Sequence, residues 1–295
     1  MIWQQLANGL TIGCIYALVT IGFSMVWSIL QLTNFAHSSF YVLAPYFALT
    51  LMSFIGVSPL SFILTLVVVS LFTACLGAGM ERGLLRPIRE KKVSNITMML
   101  CTVGVQTVIT HGIMLIWGSD TKSFPNALNL GTFEIGGVII TYLQLVILAL
   151  ALVLMLAMSY IVYKTKLGAA MRSISQNTEA AHLMGINVNF VVMATFFLGT
   201  MIAACAGMMV ATYYKSIDTT MSGAIGSKAM AAAILGGIGV LPGAMLGGLI
   251  IGIVETLVAS YISSGYRDAI AFAILIIVIL VRPTGLFGKK AVNKV

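Results

Sequence analysis

The chain has 295 residues, of which 60% are hydrophobic and only 8% charged, whereas about 25% of the residues of a soluble domain are charged. This composition excludes a soluble enzyme, an aqueous binding module and a disordered scaffold, and predicts one membrane-embedded body. The net charge of +8 does not indicate a nucleic-acid binder, because the basic residues stand in short segments between apolar runs. The four cysteines lie in apolar runs without paired spacing and indicate neither disulfides nor zinc.

Apolar runs long enough to cross the hydrocarbon core as helices, about 20 residues, recur along the chain. The first charge is Glu81, so no basic segment opens a cleaved signal peptide, and we expect the N-terminus to be the mature one. Two runs are short and interrupted: 38–54 contains Pro45, and 228–241 is glycine-rich and ends at Pro242. The strong candidate spans are 10–32, 61–80, 96–117, 141–163, 190–213, 243–262 and 266–281. The expected fold is all-α, a polytopic transmembrane helix bundle of eight to nine segments that includes the short broken helices.

Lys and Arg residues predict the orientation of the bundle. Segments 81–95 and 164–189 and the tail after residue 281 hold 12 of the 16 basic residues, so we expect them to face the cytoplasm. Segments 118–140 and 214–227 hold few and are expected to face outward. The tail reaches the cytoplasm only if an odd number of crossings follows residue 227. We therefore count the second short run, 228–241, as a crossing or half-crossing. The N-terminal region has no charge to orient it, and we expect the N-terminus outward.

Polar residues inside the spans are candidates for a transport path or for helix contacts. Asn34 and His37 stand at the junction with the first interrupted run, where they would share a helical face and bind backbone groups freed by the break. His37 would alternatively sense protons, although a structural role is more common for a lone histidine. Thr102, Gln106 and Thr110 recur every four residues, and this stripe either lines a wet path or bonds neighbouring helices.

Glycine and one acid distinguish the last third of the chain. The run 141–163 has neither glycine nor charge and is expected to face lipid, whereas 235–252 predicts close packing or unwound backbone. Glu255 shares a helical face with small residues and is expected to point into the bundle. There it either pairs with a cation or a substrate amine, or serves as a protonated or hydrogen-bonded packing residue. The small residues of these features are Gly236, Gly237, Gly239, Gly248, Gly252 and Ala259.

The two interrupted runs, one in each half of the chain, favour a transporter. Unwound backbone inside a membrane must line a cavity or be covered by protein, and broken helices in corresponding halves point to a central transport site. The alternative is a pair of re-entrant packing segments without a ligand.

The cytoplasmic segment 164–189 contains a predicted short helix. Asn177 or Thr178 is its N-cap, Glu179 lies in the first turn where the helix dipole favours an acid, and Gly185 ends it. Its apolar surface is expected to dock into a protein groove rather than onto the membrane, and comprises Ala180, Ala181, Leu183 and Met184. The chain has no G-x-x-x-x-G-K-[ST] motif, so ATP-driven transport requires a separate ATPase docked here.

Four short motifs identify a family by their order and spacing. The helix with Glu179 and two alanines, followed by Gly185, resembles the coupling loop of ABC-importer permeases. The other motifs are Asn34-Phe35-Ala36-His37, Leu235-Gly236-Gly237-Ile238-Gly239 with Pro242-Gly243-Ala244, and Arg282-Pro283-Thr284-Gly285-Leu286. Together they resemble the LivH-type permease of branched-chain amino-acid ABC transporters over residues 5–288, and the absence of a long N-terminal extension favours this type over the LivM type. One departure is Ser38, where many relatives have glycine.

The resemblance implies a multi-pass permease of the bacterial inner membrane, one domain over residues 1–295, that imports leucine, isoleucine and valine. It implies a heterodimer with a LivM-type permease, LivG- and LivF-type ATPases that carry the ATP and magnesium, and a periplasmic binding protein on the outward loops. This chain would then be no enzyme, hold no cofactor or metal, contact lipid and bind no nucleic acid. ATPase coupling is assigned to Arg172, Glu179, Ala180, Ala181, Leu183, Met184 and Gly185.

Other functions stay open from the residues alone. The resemblance also allows urea, amides or other amino acids as substrates. A carrier or channel that works without ATP is the alternative from another class, and Glu255 would serve it. An intramembrane enzyme ranks last, because the histidines have no metal-ligand spacing and no nucleophile motif is present.

Overall fold

The computed structural model describes residues 2–91, 93–128, 131–282 and 284–288, apart from the side chains of Ile135, Ile270 and Ala271. Its helices are α1 Ile2–Leu30, α2 Ala36–Ile55, α3 Pro59–Met80, α4 Arg86–Glu90, α5 Asn95–Trp117, α6 Tyr142–Lys164, α7 Lys166–Gln176, α8 Thr178–Leu183, α9 Val188–Tyr214, α10 Met221–Gly236, α11 Leu241–Tyr261 and α12 Arg267–Val281. A π-helical turn, Glu81–Leu85, joins α3 to α4, and a 3-10 turn, Ser264–Tyr266, precedes α12. Within the described ranges, 8 helices are long and apolar enough to cross a membrane. The chain is thus the all-α, polytopic membrane protein that its composition predicts.

Two small antiparallel ribbons and one side chain bring together the segments that are expected to face outward. Strand β1 (Lys122–Ser123) pairs with β4 (Ser216–Ile217), and β2 (Thr132–Ile135) pairs with β3 (Val138–Thr141). The Gln4 side chain accepts from the Ile139 amide and donates to the Ile139 carbonyl oxygen, both at 2.8 Å. The start of α1 and both weakly charged loops therefore share one face, as expected for an outward N-terminus.

The opposite, basic face carries the segments rich in Lys and Arg. Arg89 after α3 donates to Asn189 at the start of α9 over 2.6 Å, which joins two of the three predicted cytoplasmic segments. Arg282 belongs to the third segment, whereas Pro283 of the tail motif and Lys289, Lys290 and Lys294 lie outside the described residues. Three helices, α10, α11 and α12, follow α9, but α10 has 16 residues and is not among the 8 candidate spans, so the odd number of crossings stays a prediction.

Helix α1 forms the centre of the bundle, and every side chain from Thr11 to Val26 is buried. Glycines allow α11 to approach its backbone closely: a Cβ at Gly13 would lie 2.9 Å from the Leu249 carbonyl oxygen. Gly252 meets the Gly13 backbone in the same way. The predicted small-residue face of α11 therefore packs on α1.

The peripheral helices present leucine and valine outward. Helix α6 exposes Leu152, Val153 and Leu156, and α5 exposes Val108 and much of its remaining surface. In water such apolar area would cost about 25 cal/mol per Å², whereas lipid covers it without that cost. The interpretation of 141–163 as lipid-facing scaffold is consistent with this exposure.

The structure corrects both predicted interruptions. Helix α2 continues through Pro45, and the Tyr41 carbonyl that the proline leaves without its helical donor faces the backbone of Gly207 on α9. The second run does not begin at residue 228, because α10 starts at Met221 inside the expected outward loop. Pro242 does not end a helix but lies in the first turn of α11, where its missing N–H has no helical partner to lose.

Candidate functional site

The true break in the bundle lies before α2. Helix α1 ends at Leu30, Gln31 adopts φ 50°, and the chain turns back along α1. His37 then lies beside the middle of α1, with Nε2 at 3.1 Å from the Val19 carbonyl oxygen. Val19 precedes the end of α1 by about 16 Å at 1.5 Å per residue. Non-helical backbone therefore reaches deep into the bundle, where it must be covered or line a cavity.

A cavity of about 170 Å³ lies where this returning segment meets α1, α5 and α10. Three residues predicted from sequence, Asn34, His37 and Gln106, line it together. Asn34 does not share a helical face with His37, since α2 begins at Ala36, but both side chains reach the same space. We name this space the amide cavity.

The amide cavity contains unused hydrogen-bonding groups. Both polar atoms of the Asn34 side chain, which is only 2% exposed, lack a partner within the described ranges, as does His37 Nδ1. Leaving a buried polar group without a partner costs about 1–3 kcal/mol. At roughly 30 Å³ per water, the cavity has room for several waters or a small polar ligand.

The remaining residues of the predicted α5 stripe have different positions. Thr102 is fully buried beside the cavity, accepts a hydrogen bond from the Phe35 amide at 3.2 Å and donates to the Met99 carbonyl oxygen at 2.7 Å. Thr102 thus holds the returning segment against α5, which agrees with the prediction that the stripe bonds neighbouring helices. Thr110 is half-buried one turn beyond Gln106 and does not line the amide cavity.

A second cavity, of about 300 Å³, opens near the outward ends of α9, α10 and α11. Here Lys228 Nζ lies 2.9 Å from Glu255 Oε1 and 2.9 Å from Asp268 Oδ1. The Lys228 ammonium also stands 5.7 Å from the centre of the Tyr16 ring, within cation–π distance. Glu255 pairs with a cation of the same chain, and its role in transport or in packing stays a prediction. Sequence reasoning missed Lys228, and the signal that could have found it is a single cation within a run of small apolar residues. We name this space the ion-pair cavity.

The glycines at the end of α10 and in the turn after it serve packing and lie outside both cavities. A Cβ at Gly236 would collide with the Gly243 carbonyl, so α10 and α11 touch through backbone at the basic face. Gly237 and Gly239 adopt φ +103° and +81° in the turn. The Gly239 amide donates to Ser24 Oγ of α1 at 3.1 Å. The unwound backbone that the sequence predicts here is the turn between α10 and α11.

The predicted cytoplasmic helix is α8. The Asn177 side chain accepts from the Ala180 amide at 3.0 Å as N-cap, and Gly185 follows the helix with φ +83°. Leu183 is 87% and Met184 71% exposed, an apolar surface without a partner in the described parts of the chain. Glu179 and Ala180 are exposed as well.

The burial of Ala181 corrects the predicted docking surface, and Arg172 lies on the helix before it. Ala181 is only 1% exposed, because residues 180, 183 and 184 share one helical face and position 181 is turned about 100° away. Arg172 lies on α7, where its guanidinium donates to the Val162 carbonyl oxygen and stands 5.9 Å from the Tyr163 ring. It attaches α7 to the end of α6, whereas its predicted part in ATPase coupling stays a prediction.

On the outward face, Asp218 stabilises the loop that carries β4. Its carboxylate accepts from the Thr220 amide at 2.7 Å and from the Thr121 hydroxyl at 2.8 Å. These hydrogen bonds to the charged form lower the pKa of Asp218 below its ordinary value. The two outward loops are thus joined by a side-chain contact as well as by the β1–β4 ribbon.

Comparisons with known proteins agree with this architecture. Residues 5–279 match the family described as branched-chain amino acid transport system, permease component. The chain is 35% identical to the high-affinity branched-chain amino acid transport system permease protein BraD of Pseudomonas aeruginosa and 34% identical to LivH of Escherichia coli K12, each over 99% of this chain and 97% of the relative. The structure of PsaBC from Streptococcus pneumoniae in complex with Fab is similar in fold, with a TM-score of 0.51, 14% identity, and coverage of 97% of this chain and 93% of that one. The chain therefore belongs to the family of branched-chain amino acid transport system permease components.

Proposed function

We propose that this chain is one permease subunit of an ABC importer that carries leucine, isoleucine and valine across the bacterial inner membrane. Its partners are a LivM-type permease, LivG- and LivF-type ATPases and a periplasmic binding protein. ATP and magnesium belong to the ATPases, and this chain contributes no catalytic group or cofactor. The observation that carries the proposal is the family match over residues 5–279, together with similarity to full-length branched-chain amino acid permeases.

The amide cavity suits a translocation path for such substrates. It lies beside the middle of α1, and it combines apolar walls from Val19 and Phe23 with the free amide of Asn34. An aliphatic amino acid needs both kinds of surface, apolar contact for the side chain and hydrogen-bonding groups for the polar end. Weak binding here is sufficient, since the binding protein supplies the affinity.

The proposal includes a route by which α7 and α8 transmit ATPase movement. The exposed apolar side chains of Leu183 and Met184 offer a docking surface on the basic face. Arg172 attaches α7 to the last turn of α6, and α7 also packs on α1. A push on α8 would therefore reach the central helix beside the amide cavity.

Reconstitution tests the proposal. The four membrane and ATPase subunits are placed in proteoliposomes with the binding protein, and uptake of radiolabelled leucine, isoleucine and valine is followed with and without ATP. We expect uptake that requires ATP and every subunit, and competition among the three substrates. Uptake by this chain alone without ATP would favour the carrier or channel, and ATP-driven uptake of urea or an amide instead would refute the substrate assignment.

A matched pair of variants tests the amide cavity. Asn34→Leu removes the free amide with little change in volume, so we expect slower leucine uptake at unchanged assembly. Thr110→Val, on the same side of the bundle but outside the cavity, is the control and should transport normally. Equal uptake by both variants would exclude Asn34 from the path.

A further inference from the structure

The ion-pair cavity has the composition of a binding site rather than of a closed helix contact. Three charged side chains, Lys228, Glu255 and Arg267, line it with the rings of Tyr16, Tyr41 and Tyr214. Its volume of about 300 Å³ is at the lower end of the roughly 300–1,000 Å³ of small-molecule sites. Helix α10 separates it from the amide cavity, because Lys228 faces one cavity and Ala229 lines the other.

Two charged groups in this cavity have unused hydrogen-bonding atoms. Glu255 is 3% exposed, and its Oε1 binds Lys228 while its Oε2 has no partner among the residues that the structure describes. Within the same part of the chain, the buried Nε of Arg267 also lacks a partner. A buried charge with unused capacity is costly unless a ligand or water completes it.

The two free atoms have opposite requirements. Glu255 Oε2 accepts hydrogen bonds and favours a cation, whereas Arg267 Nε donates and favours an anion. A simple cation or anion would satisfy only one of them. Lys228 already donates to two carboxylates, since Glu255 and Asp268 each lie 2.9 Å from its ammonium, which leaves one of its three N–H donors. A ligand that carries both charges matches the two free atoms, and an apolar side chain on it matches Ile12, Val210 and Ile225.

We propose that the ion-pair cavity is an outward-facing entry site for a zwitterionic aliphatic amino acid, with Glu255 Oε2 accepting from the α-ammonium and Arg267 Nε donating to the α-carboxylate. The inference rests on the proposed function and adds a site to it. The substrate would meet this cavity after release from the binding protein.

Ligands that lack one charge test the assignment. The assembled permease and ATPase complex without the binding protein is placed in nanodiscs, and binding of radiolabelled leucine is measured in competition with isopentylamine and 4-methylpentanoate. Removing one charge-assisted hydrogen bond should weaken binding about tenfold or more. Glu255→Gln should weaken leucine and isopentylamine but leave 4-methylpentanoate unchanged. Arg267→Gln should weaken leucine and 4-methylpentanoate but leave isopentylamine unchanged. Lys215→Gln, an exposed cation of the same face, should change none.

The outcomes separate this site from the proposed function. If the Glu255 variant fails to assemble, Arg267→Gln decides with the same three ligands. Uniform loss of all three ligands, unchanged affinities, or no leucine binding by the wild-type complex up to tens of millimolar would overturn the site. Leucine uptake by the wild-type importer with its binding protein, measured on the same preparation, tests the function independently. Uptake with unaltered KM in both variants would overturn the site alone.

Discussion

The buried pair of Lys228 and Glu255 allows a graded prediction of stability. The side chains are 9% and 4% exposed and 2.9 Å apart, so their attraction at an effective dielectric constant of about 20 is roughly 6 kcal/mol before desolvation is subtracted. Removing one member of a buried pair costs about 3–5 kcal/mol, because the other is left uncompensated. Lys228→Met leaves Glu255 without its ammonium and should reach that range.

The loss of stability should differ between the two partners, because Lys228 contacts a second carboxylate. In Glu255→Gln the lysine keeps Asp268 as a partner, so the loss should be smaller than for Lys228→Met. Asp268 is 58% exposed in this contact, so Asp268→Asn should cost no more than about 1 kcal/mol. The double variant Lys228→Met with Glu255→Gln removes both charges and should be more stable than Lys228→Met alone.

Thermal unfolding of the purified complex in detergent, followed by circular dichroism, measures this order. We expect the lowest melting temperature for Lys228→Met, recovery in the double variant, and a value near wild type for Asp268→Asn. A melting temperature of Lys228→Met equal to wild type, or a double variant no better than the single one, would refute the reasoning.

Three further predictions concern packing, docking and the outward loop. Gly252→Leu should separate α11 from α1, at a cost of about 1–3 kcal/mol or more for overpacking. At Gly104 an added Cβ meets no atom within 4 Å, so Gly104→Leu should be neutral. The yield of monodisperse protein on size exclusion compares the two variants. Leu183→Glu should reduce the amount of ATPase that co-purifies without lowering the melting temperature, because the Leu183 side chain is exposed. Ala181→Leu should lower the melting temperature without reducing the co-purifying ATPase, because the Ala181 side chain is buried. The pKa of Asp218 is lower in the folded chain than its ordinary value of 3.8. The carboxylate therefore contributes its full stabilisation of the loop above pH 3.8, and this stabilisation is lost as the pH falls through the lower pKa of the folded chain. The rate of hydrogen exchange in the β1–β4 ribbon, corrected for intrinsic rates, should therefore rise only below pH 3.8. Asp218→Asn should abolish this pH dependence.

Features of α8 and α11 show what could be predicted locally. The N-cap at Asn177, the stop at Gly185 and the inward face of Gly252 and Glu255 follow from 3.6-residue periodicity and capping chemistry, which depend on near neighbours. The burial of Ala181 was predictable in the same way, since a helix of fewer than two turns cannot expose all of its apolar residues on one face. The functional roles of these residues stay predictions that the experiments above test.

The amide cavity was predictable only in part. Asn34, His37 and Gln106 were selected because polar groups inside a span need a reason to be there. Their convergence depends on the return of the chain at Gln31, and no local pattern indicates how far that segment reaches. Pro45 misled the prediction for a related reason, since α2 packs there against Gly207, more than 150 residues away in the chain.

The sequence by itself determined the membrane class, the approximate helix bounds, the basic face and the family resemblance. Runs of apolar residues, clusters of Lys and Arg and short motifs are properties of neighbouring residues, and solvent or lipid acts on them directly. Only the tertiary structure decided that Glu255 meets Lys228 and Asp268, that α2 begins beside the middle of α1, and that α10 divides two cavities. These features arise from contacts between helices that are distant in the chain, where the position of one side chain depends on the packing of all its neighbours.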